Sequence, residues 1–187
     1  MYGLFTVQVA NESPLPVLIY NFPGVLGGID LDTDVITELS QHANIVGVKL
    51  TYRLTSLPAS YLGPTNVNPT ARNFVAFGGF GDFLLQSLII GGGGAICGLA
   101  NVVPKTCIHL VNLFKEKKLE EAVQLQFKLA WADWILVKVG VPGTKYAIEM
   151  SEGYGGLCRK PLPECNPEMM TMIKKELQDI LIIETGL

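Results

Sequence analysis

The feature that most constrains this chain is a series of short, continuously apolar runs separated by amphipathic segments. Strands covered on both faces appear as unbroken apolar runs, and helical segments between them imply parallel β/α units. The runs predicted to be strands are 16–22, 44–50, 73–77 (ending at Gly78-Gly79) and 94–98. The segment Asp32-Thr33-Asp34 is expected to cap a helix that reaches about His42, and another helix is expected over residues 82–90.

After the fourth run the pattern is helical only. Pro104 stands where a first-turn proline is tolerated, and the segment from there to Glu116 is amphipathic. A long helix is predicted over 119–139 with an interruption at 140–143. The segment Asn166-Pro167-Glu168 is expected to cap a final helix that reaches about Ile183. The sequence therefore predicts an α/β portion followed by a helical C-terminal portion.

Composition is typical of a globular protein and argues against several kinds of partner. The 187 residues are 49% hydrophobic and 17% charged with a net charge of −3, so nothing attracts the chain to nucleic acid or an anionic membrane. No two cysteines have zinc-ligand spacing, and with only two histidines a metal site has little support. Reduced thiols in a cytoplasm-like compartment are expected. The cysteines are Cys97, Cys107, Cys158 and Cys165.

Two uncharged stretches bear on location. Residues 1–11 lack the basic residues of a secretory or transit leader, so no targeting segment is predicted. Residues 83–104 have no formal charge and the length to cross a bilayer, but the glycines at 91–94 would break a helix there. A membrane-embedded segment is a minor alternative, and the predicted location is the cytoplasm.

Lys49 is the residue best suited to chemistry, because it lies at the end of the second apolar run. A lysine in a low-dielectric site loses preference for its charged form and can attack a carbonyl as an amine. Tyr20 ends the preceding run in the same way, and the carboxyl ends of parallel strands are where ligands bind. An amine and a phenol that can transfer a proton are therefore predicted at the same carboxyl-terminal edge of the strands. The alternatives are a lysine that extends into water and a tyrosine that caps a barrel layer.

Other motifs are weaker. The glycines at 91–94 lack the residues that complete a phosphate loop, and they are expected to form a tight turn before the fourth strand. Gly78-Gly79 either lets a small substrate approach the backbone or forms a simple turn. Phe127, Trp131 and Trp134 lie at helical spacings and are expected to be core or subunit contacts.

An ordered set of motifs covers nearly the whole chain. Its members are Tyr-Asn-Phe-Pro at 20–23, Val-Gly-Val-Lys-Leu-Thr at 46–51, the glycine-rich segment 92–101, Leu-Glu-Glu-Ala at 119–122 and Gly-Thr-Lys-Tyr-Ala at 143–147. This set resembles the dihydrodipicolinate synthase/N-acetylneuraminate lyase family of pyruvate-dependent class I aldolases.

The resemblance implies a lysine imine with the substrate and no separate cofactor. By match, Lys49 would form a Schiff base with the keto carbon of pyruvate or another 2-keto acid, and Tyr20 would relay protons. Ile96 matches a residue whose backbone carbonyl contacts pyruvate. Gly79 matches a glycine that lines the same pocket, and Thr51 matches a residue that lies near the site in some branches of the family. The implied partner is a small 2-keto acid such as pyruvate, with no nucleic acid and no membrane, and the full-length members of the family are expected to be homo-oligomers.

One departure from the family pattern concerns the substrate. Members that make the lysine precursor carry an arginine shortly after Tyr-Asn-x-Pro, whereas residues 24–28 here read Gly-Val-Leu-Gly-Gly. The difference favours members that resemble 4-hydroxy-2-oxoglutarate aldolase or the 3-deoxy-hexulosonate aldolases.

The other departure is length, because barrels of this type need about 250 residues. The resemblance implies the C-terminal half of a TIM barrel, with the end of helix 4 and strands 5–8 of the family in residues 1–103 and the last barrel helix and a helical extension in 104–187. Two functions stay open: an active aldolase, or an inactive truncated chain that acts, if at all, through self-association or association with a full-length relative. A transit peptide in the missing half would make the protein mitochondrial.

Overall fold

A computed structural model describes residues 2–51, 57 and 74–187. Its strands are β1 (Val17–Asn21), β2 (Ile45–Leu50) and β3 (Val75–Gly78). Its helices are α1 (Tyr2–Glu12), α2 (Thr33–Leu39), α3 (Leu84–Ile89), α4 (Pro104–Lys115), α5 (Leu119–Glu152), α6 (Pro167–Glu176) and α7 (Gln178–Gly186). The predicted α/β portion with a helical C-terminal portion is confirmed. Asn73, the first residue of the predicted third strand, lies outside the described residues.

The strands form one parallel sheet in the order β1-β2-β3. Tyr20 pairs with Lys49 across β1 and β2, and Lys49 pairs with Phe77 across β2 and β3. Because parallel strands run in one direction, their carboxyl ends meet at one edge of the sheet. Asp32 caps α2 as predicted, since its Oδ1 accepts a hydrogen bond from the Val35 N–H at 2.9 Å.

One face of the sheet is buried. Ile19, Val48 and Ala76 point to that face and pack in a core with Ile36 and Leu39 of α2. Side chains alternate between faces along a strand, so the residues between them lie on the opposite face. The buried face fixes the register, because a slip of one residue would turn the core side chains outward.

The opposite face of the sheet is open. Leu18, Tyr20 and Val75 on this face are exposed, and Lys49 and Phe77 are half-buried. The unbroken apolar runs predict a sheet that is covered on both faces. In the described part of this structure only one face of the sheet is buried. The reactive residues identified from the sequence, Lys49 and Tyr20, lie on the open face.

The predicted fourth strand, 94–98, is wrong as a strand. The segment makes a single parallel bridge, between Ala95 and Gly78, although Ile96 N–H donates to the Gly78 carbonyl at 2.8 Å and Gly78 N–H donates to the Gly94 carbonyl at 2.9 Å. Gly94 has φ +129°, a conformation outside the extended region. The ladder therefore cannot continue through it as a regular strand.

The described residues group into two compact units. The first takes its residues from Met1–Gly79 and Gln86–Ile96, and the second from Phe80–Leu85 and Cys97–Leu187. The predicted division at 103/104 and the half-barrel interpretation stay predictions.

In the second unit the predicted helices are present with three differences. The predicted interruption at 140–143 is a kink inside α5, where Gly140 has φ 60° and ψ −159°. The final helix is divided at Leu177 into α6 and α7, and Asn166 caps α6 as predicted through the Met169 N–H. Three aromatic side chains of α5 are exposed: Phe127, Trp131 and Trp134. The alternative that they are core residues is therefore wrong, and the alternative that they are subunit contacts stays a prediction.

The helices and polar clusters of the described ranges bear on two further predictions. None of these helices has both the length and the apolarity to span a membrane. In the same ranges His, Cys, Asp and Glu form no group of three or more that could hold a metal ion.

Candidate active site

Lys49 and Tyr20 are brought into contact by the pairing of β1 and β2. The register sets the two residues side by side on the open face, and the Lys49 Nζ lies 4.0 Å from the centroid of the Tyr20 ring. A cation over an aromatic face is attracted by the ring quadrupole, which favours this placement of the amine. The amine and the phenol thus share one end of the sheet.

Tyr20 is 46% exposed, so part of the residue is accessible to a small molecule. Its ring also contacts Phe22, with centroids 5.7 Å apart and planes tilted by 46°. Tilted aromatic pairs are favourable, and this one limits the movement of the Tyr20 ring.

Asn21 fixes the loop that follows Tyr20, a role the sequence interpretation missed. Its buried side-chain amide donates to Asp30 Oδ1 at 2.8 Å and to the Leu31 carbonyl at 3.1 Å, while its Oδ1 accepts from the Leu31 N–H at 3.1 Å. These bonds close the loop 22–30 into a fixed bend beside the site. The available signal was an asparagine at the end of a buried strand, where a polar side chain needs partners.

Thr51 lies just past β2 and is buried. Its hydroxyl donates to the Asn21 carbonyl at 3.2 Å, and its backbone N–H is 3.4 Å from the same oxygen. The side chain therefore joins the carboxyl ends of β1 and β2. In this structure its hydroxyl hydrogen is used by the backbone.

Gly79 is buried against the end of β2. A Cβ added there would lie 2.9 Å from the Leu50 carbonyl oxygen and 3.2 Å from the Thr51 Cα, closer than side chains tolerate. The absence of a side chain is what allows the ends of β2 and β3 to approach. Gly79 and Thr51 are thus neighbours through their backbones.

Ile96 lies on the far side of β3 from Lys49. Its backbone N–H donates to the Gly78 carbonyl, and its side chain is 42% exposed. The structure therefore brings together Lys49 with Tyr20, and Thr51 with Gly79, whereas β3 separates Ile96 from Lys49.

The first unit carries little positive charge around this site. Within its described residues Lys49 is the one lysine or arginine, while the acidic side chains are Glu12, Asp30, Asp32, Asp34 and Glu38. An anionic ligand at the open face would meet the Lys49 ammonium as its principal cationic contact among these residues.

Comparison with known proteins places the motifs in context. The family model described as the dihydrodipicolinate synthetase family matches residues 3–180. The L-threo-3-deoxy-hexylosonate aldolase of Aspergillus niger is 39% identical over 205 residues, covering 100% of this chain and 61% of that protein. The Emericella nidulans protein named probable 4-hydroxy-2-oxoglutarate aldolase, mitochondrial, is 40% identical, covering 96% and 56%.

Solved structures show the same similarity. A dihydrodipicolinate synthase family protein from Coccidioides immitis superposes with a TM-score of 0.81 at 33% identity, covering 99% of this chain and 60% of that one. The Sulfolobus 2-keto-3-deoxygluconate aldolase has a TM-score of 0.81 at 22% identity, with 98% and 60% covered, which supports the fold alone. The chain spans about three fifths of the length of these relatives.

Proposed function

Because the chain belongs to the dihydrodipicolinate synthetase family, we propose that it acts as a class I aldolase, with Lys49 as the amine that forms an imine with a 2-keto acid and Tyr20 as the proton relay. The observation that carries the proposal is the contact of the Lys49 Nζ with the Tyr20 ring at the carboxyl end of a parallel sheet. The open sheet face leaves both groups accessible to a small substrate.

The first chemical step joins Lys49 to the keto carbon. The neutral amine attacks that carbon, the keto oxygen takes up a proton, and the resulting carbinolamine loses water to give an iminium ion. The iminium withdraws the electron pair of the neighbouring carbon–carbon bond when that bond breaks. No separate cofactor is needed, because the imine itself is the electron sink.

Tyr20 supplies the proton transfers of this sequence. Its phenol delivers a proton to the departing hydroxyl during imine formation and takes one from the substrate hydroxyl when the carbon–carbon bond breaks. The contact with Phe22 and the Asn21 bonds hold the ring and the following loop in place for these transfers.

Three further residues shape the proposed pocket. Gly79 allows the close approach of the β2 and β3 ends, and Thr51 ties the β2 end to β1. The Ile96 carbonyl is proposed as a contact for the bound keto acid. Thr51 acts in this scheme as a positioning residue, because its hydroxyl donates to the Asn21 carbonyl.

The proposed substrates are hydroxylated 2-keto acids that release pyruvate or a related keto acid on cleavage. The loop after Tyr20 carries no arginine, and the relatives named for 3-deoxy-hexylosonate and 4-hydroxy-2-oxoglutarate are about 40% identical. A substrate comparison would measure pyruvate release from both acids. If the chain forms the imine but cleaves neither acid, the proposal is restricted to imine formation.

Imine formation itself is tested by reductive trapping. The chain is incubated with pyruvate and cyanoborohydride, and its intact mass is measured. We expect one adduct, with the mass of pyruvate less one water plus two hydrogens. K49R should give no adduct and K138R, which alters a lysine in α5, should give the wild-type amount; equal labelling of K49R and wild type would refute the assignment.

A second candidate function is association through the open sheet face. Leu18 and Val75 are exposed there, and within the described residues β1 pairs with β2 alone. Exposed apolar faces and strand edges favour self-association or association with a full-length relative. Sedimentation should then show assembly that increases with concentration and decreases in L18Q, whereas a stable monomer at all concentrations would exclude self-association.

A further inference from the structure

The connection between α5 and α6 places two thiols beside one cavity in the second unit. Cys158 and Cys165 both line a cavity of about 220 Å³, together with Tyr146 and Glu149 of α5 and Met170 of α6. Both cysteines are partly exposed. The thiols therefore face a common space that small reagents reach.

Both ends of this connection are anchored, which keeps the two thiols in the same region. Near its start, the Gly156 N–H donates to Glu149 Oε2 at 3.1 Å, and Gly155 packs against the Lys145 carbonyl. At its end, Asn166 caps α6 by accepting from the Met169 N–H at 2.8 Å. The stretch between the cysteines is short, so little chain entropy opposes their approach.

Electrostatics agrees with this proximity. Burial and the neighbouring Cys158 thiol raise the pKa of Cys165. A Coulombic effect of one thiol on the other agrees with their places around the same cavity. The thiolate fraction of Cys165 at neutral pH is correspondingly small, so its reactions accelerate as the pH rises.

We propose that Cys158 and Cys165 form a reversible disulfide within one chain when the protein meets a small disulfide oxidant, and that this bond joins the middle of the α5–α6 connection to the segment just before α6. The site is a thiol–disulfide exchange site, and its co-reactant class is a low-molecular-weight disulfide such as oxidised glutathione. It lies outside the residues of the proposed aldolase chemistry.

The exchange takes place in two displacements. The thiolate of one cysteine attacks a sulfur of oxidised glutathione, forms a mixed disulfide and releases one glutathione thiolate. The second cysteine, as its thiolate, attacks the protein sulfur of the mixed disulfide and releases the other glutathione. Two cysteine thiols are oxidised by two electrons, and two molecules of reduced glutathione carry away the electrons and protons.

The other two cysteines supply an internal comparison. Burial raises the pKa of Cys107 to about 12, with smaller contributions from Cys97 and two carboxylates. Because the thiolate is the reactive form, Cys107 is protonated and unreactive near neutral pH. Small oxidants should therefore react with the partly exposed thiols before they react with Cys107.

The test uses the full chain and its natural trypsin sites. Cleavage after Lys145, Arg159 and Lys174 yields the peptides 146–159 and 160–174, each with one of the two cysteines, because trypsin does not cut before Pro161. After oxidised glutathione and a quench with N-ethylmaleimide, the two peptides should appear as one linked species. The count of free thiols, taken after denaturation so that Cys107 is included, should fall from four to two, and dithiothreitol should restore it.

Matched variants separate this pair from the others. C97S should keep the linked species, whereas C158S should lose it and keep a glutathione adduct on Cys165. Circular dichroism and melting temperature compared with the reduced wild type would verify that C158S folds. Glutathione adducts on both cysteines without linkage in the wild type, linkage to Cys97 or Cys107, or linkage between two chains on a non-reducing gel would overturn the proposal.

Discussion

The ring of Tyr20 and the amine of Lys49 are held together by strand register. Their positions in β1 and β2 leave the Nζ 4.0 Å from the ring centroid. The aromatic face contributes about 0.5–1 kcal/mol to the placement of the charged amine at an exposed site. The phenolic hydroxyl has a different proposed role, because the hydroxyl, and not the ring, can donate and accept a proton.

Tyr20→Phe separates these two contributions. The substitution keeps the ring and removes the hydroxyl, so the fold and the position of Lys49 should persist while imine formation slows by about 100-fold or more. The rate at which the trapped pyruvate adduct forms, followed by mass spectrometry, measures the effect. A Y20F rate equal to that of the wild type would remove Tyr20 from the proton relay.

Asp133 in α5 is a second residue with an unusual environment. Its side chain is 3% exposed, and burial, followed by the nearby Asp82 carboxyl, raises its pKa to about 6. Hydrogen bonds from the backbone N–H groups of Gly81 and Asp82 oppose the shift. The folded chain therefore holds this proton to a higher pH than the unfolded chain does.

The sign of the pH effect follows from this order of pKa values. Between about pH 4 and pH 6 the folded state binds more protons than the unfolded state at Asp133, so the free energy of unfolding falls as the pH rises. The loss is on the order of 3 kcal/mol across that window. Urea titrations should show a flatter pH dependence for D133N, with D179N following the wild type; identical slopes for D133N and wild type would contradict the assignment.

At the scale of elements, the contact between the ends of β2 and β3 depends on Gly79. A methyl group there would meet the Leu50 carbonyl, so Gly79→Ala should displace the strand ends beside Lys49 and cost about 1–3 kcal/mol. Gly98→Ala is the matched control, because Gly98 has φ −62° and open space around its Cβ position. The free energy of unfolding, measured with urea, and the yield of the pyruvate adduct should both fall in G79A and stay near the wild-type values in G98A. Equal values for the two variants would count against the packing argument.

The N-terminus of α4 is satisfied by a residue from α7. Glu184, only 3% exposed, accepts hydrogen bonds from the Lys105 N–H at 2.9 Å, the Thr106 N–H at 2.7 Å and the Thr106 hydroxyl at 2.7 Å. The carboxylate occupies the place of the usual capping side chain and complements the helix dipole. It thereby joins the first and last helices of the second unit's C-terminal segment.

Removing this cap should destabilise the fold measurably. Glu184→Ala leaves buried donors of α4 without an acceptor and should lower the free energy of unfolding by about 3 kcal/mol, with a smaller loss in E184Q. Glu121→Ala, at an exposed position in the first turn of α5, should change it by less than about 1 kcal/mol. Chemical denaturation measures both, and a loss in E184A no larger than in E121A would show that the cap contributes little.

At the scale of the whole molecule, the local signals in the sequence predicted the elements well. Apolar runs located β1, β2 and β3, and the side chains of Asp32 and Asn166 cap the helices that follow them. These features depend on short stretches of chain. The strand-end positions of Lys49 and Tyr20 follow from the same stretches once the strands are parallel.

Features set by distant contacts were not predictable in the same way. Glu184 caps α4, which begins at Pro104, 80 residues earlier in the chain. Thr51 reaches the Asn21 carbonyl only because β1 and β2 pair. The apolar spacing of Trp131 predicts a core position, yet its side chain is exposed and donates to Glu176 at 3.2 Å. Periodicity identifies an apolar face, whereas burial depends on what the rest of the fold places against it.

The position of the trapped pyruvate on the chain shows whether Lys49 is the amine that forms the imine. Lys49 is the only lysine before Lys105, so in the unmodified protein trypsin cuts after Lys49 and again after Arg53. Reduction of the imine blocks the first cut, and we expect a single peptide, 1–53, that carries the whole adduct. An adduct found on any lysine from Lys105 onward, with normal cleavage after Lys49, would contradict it.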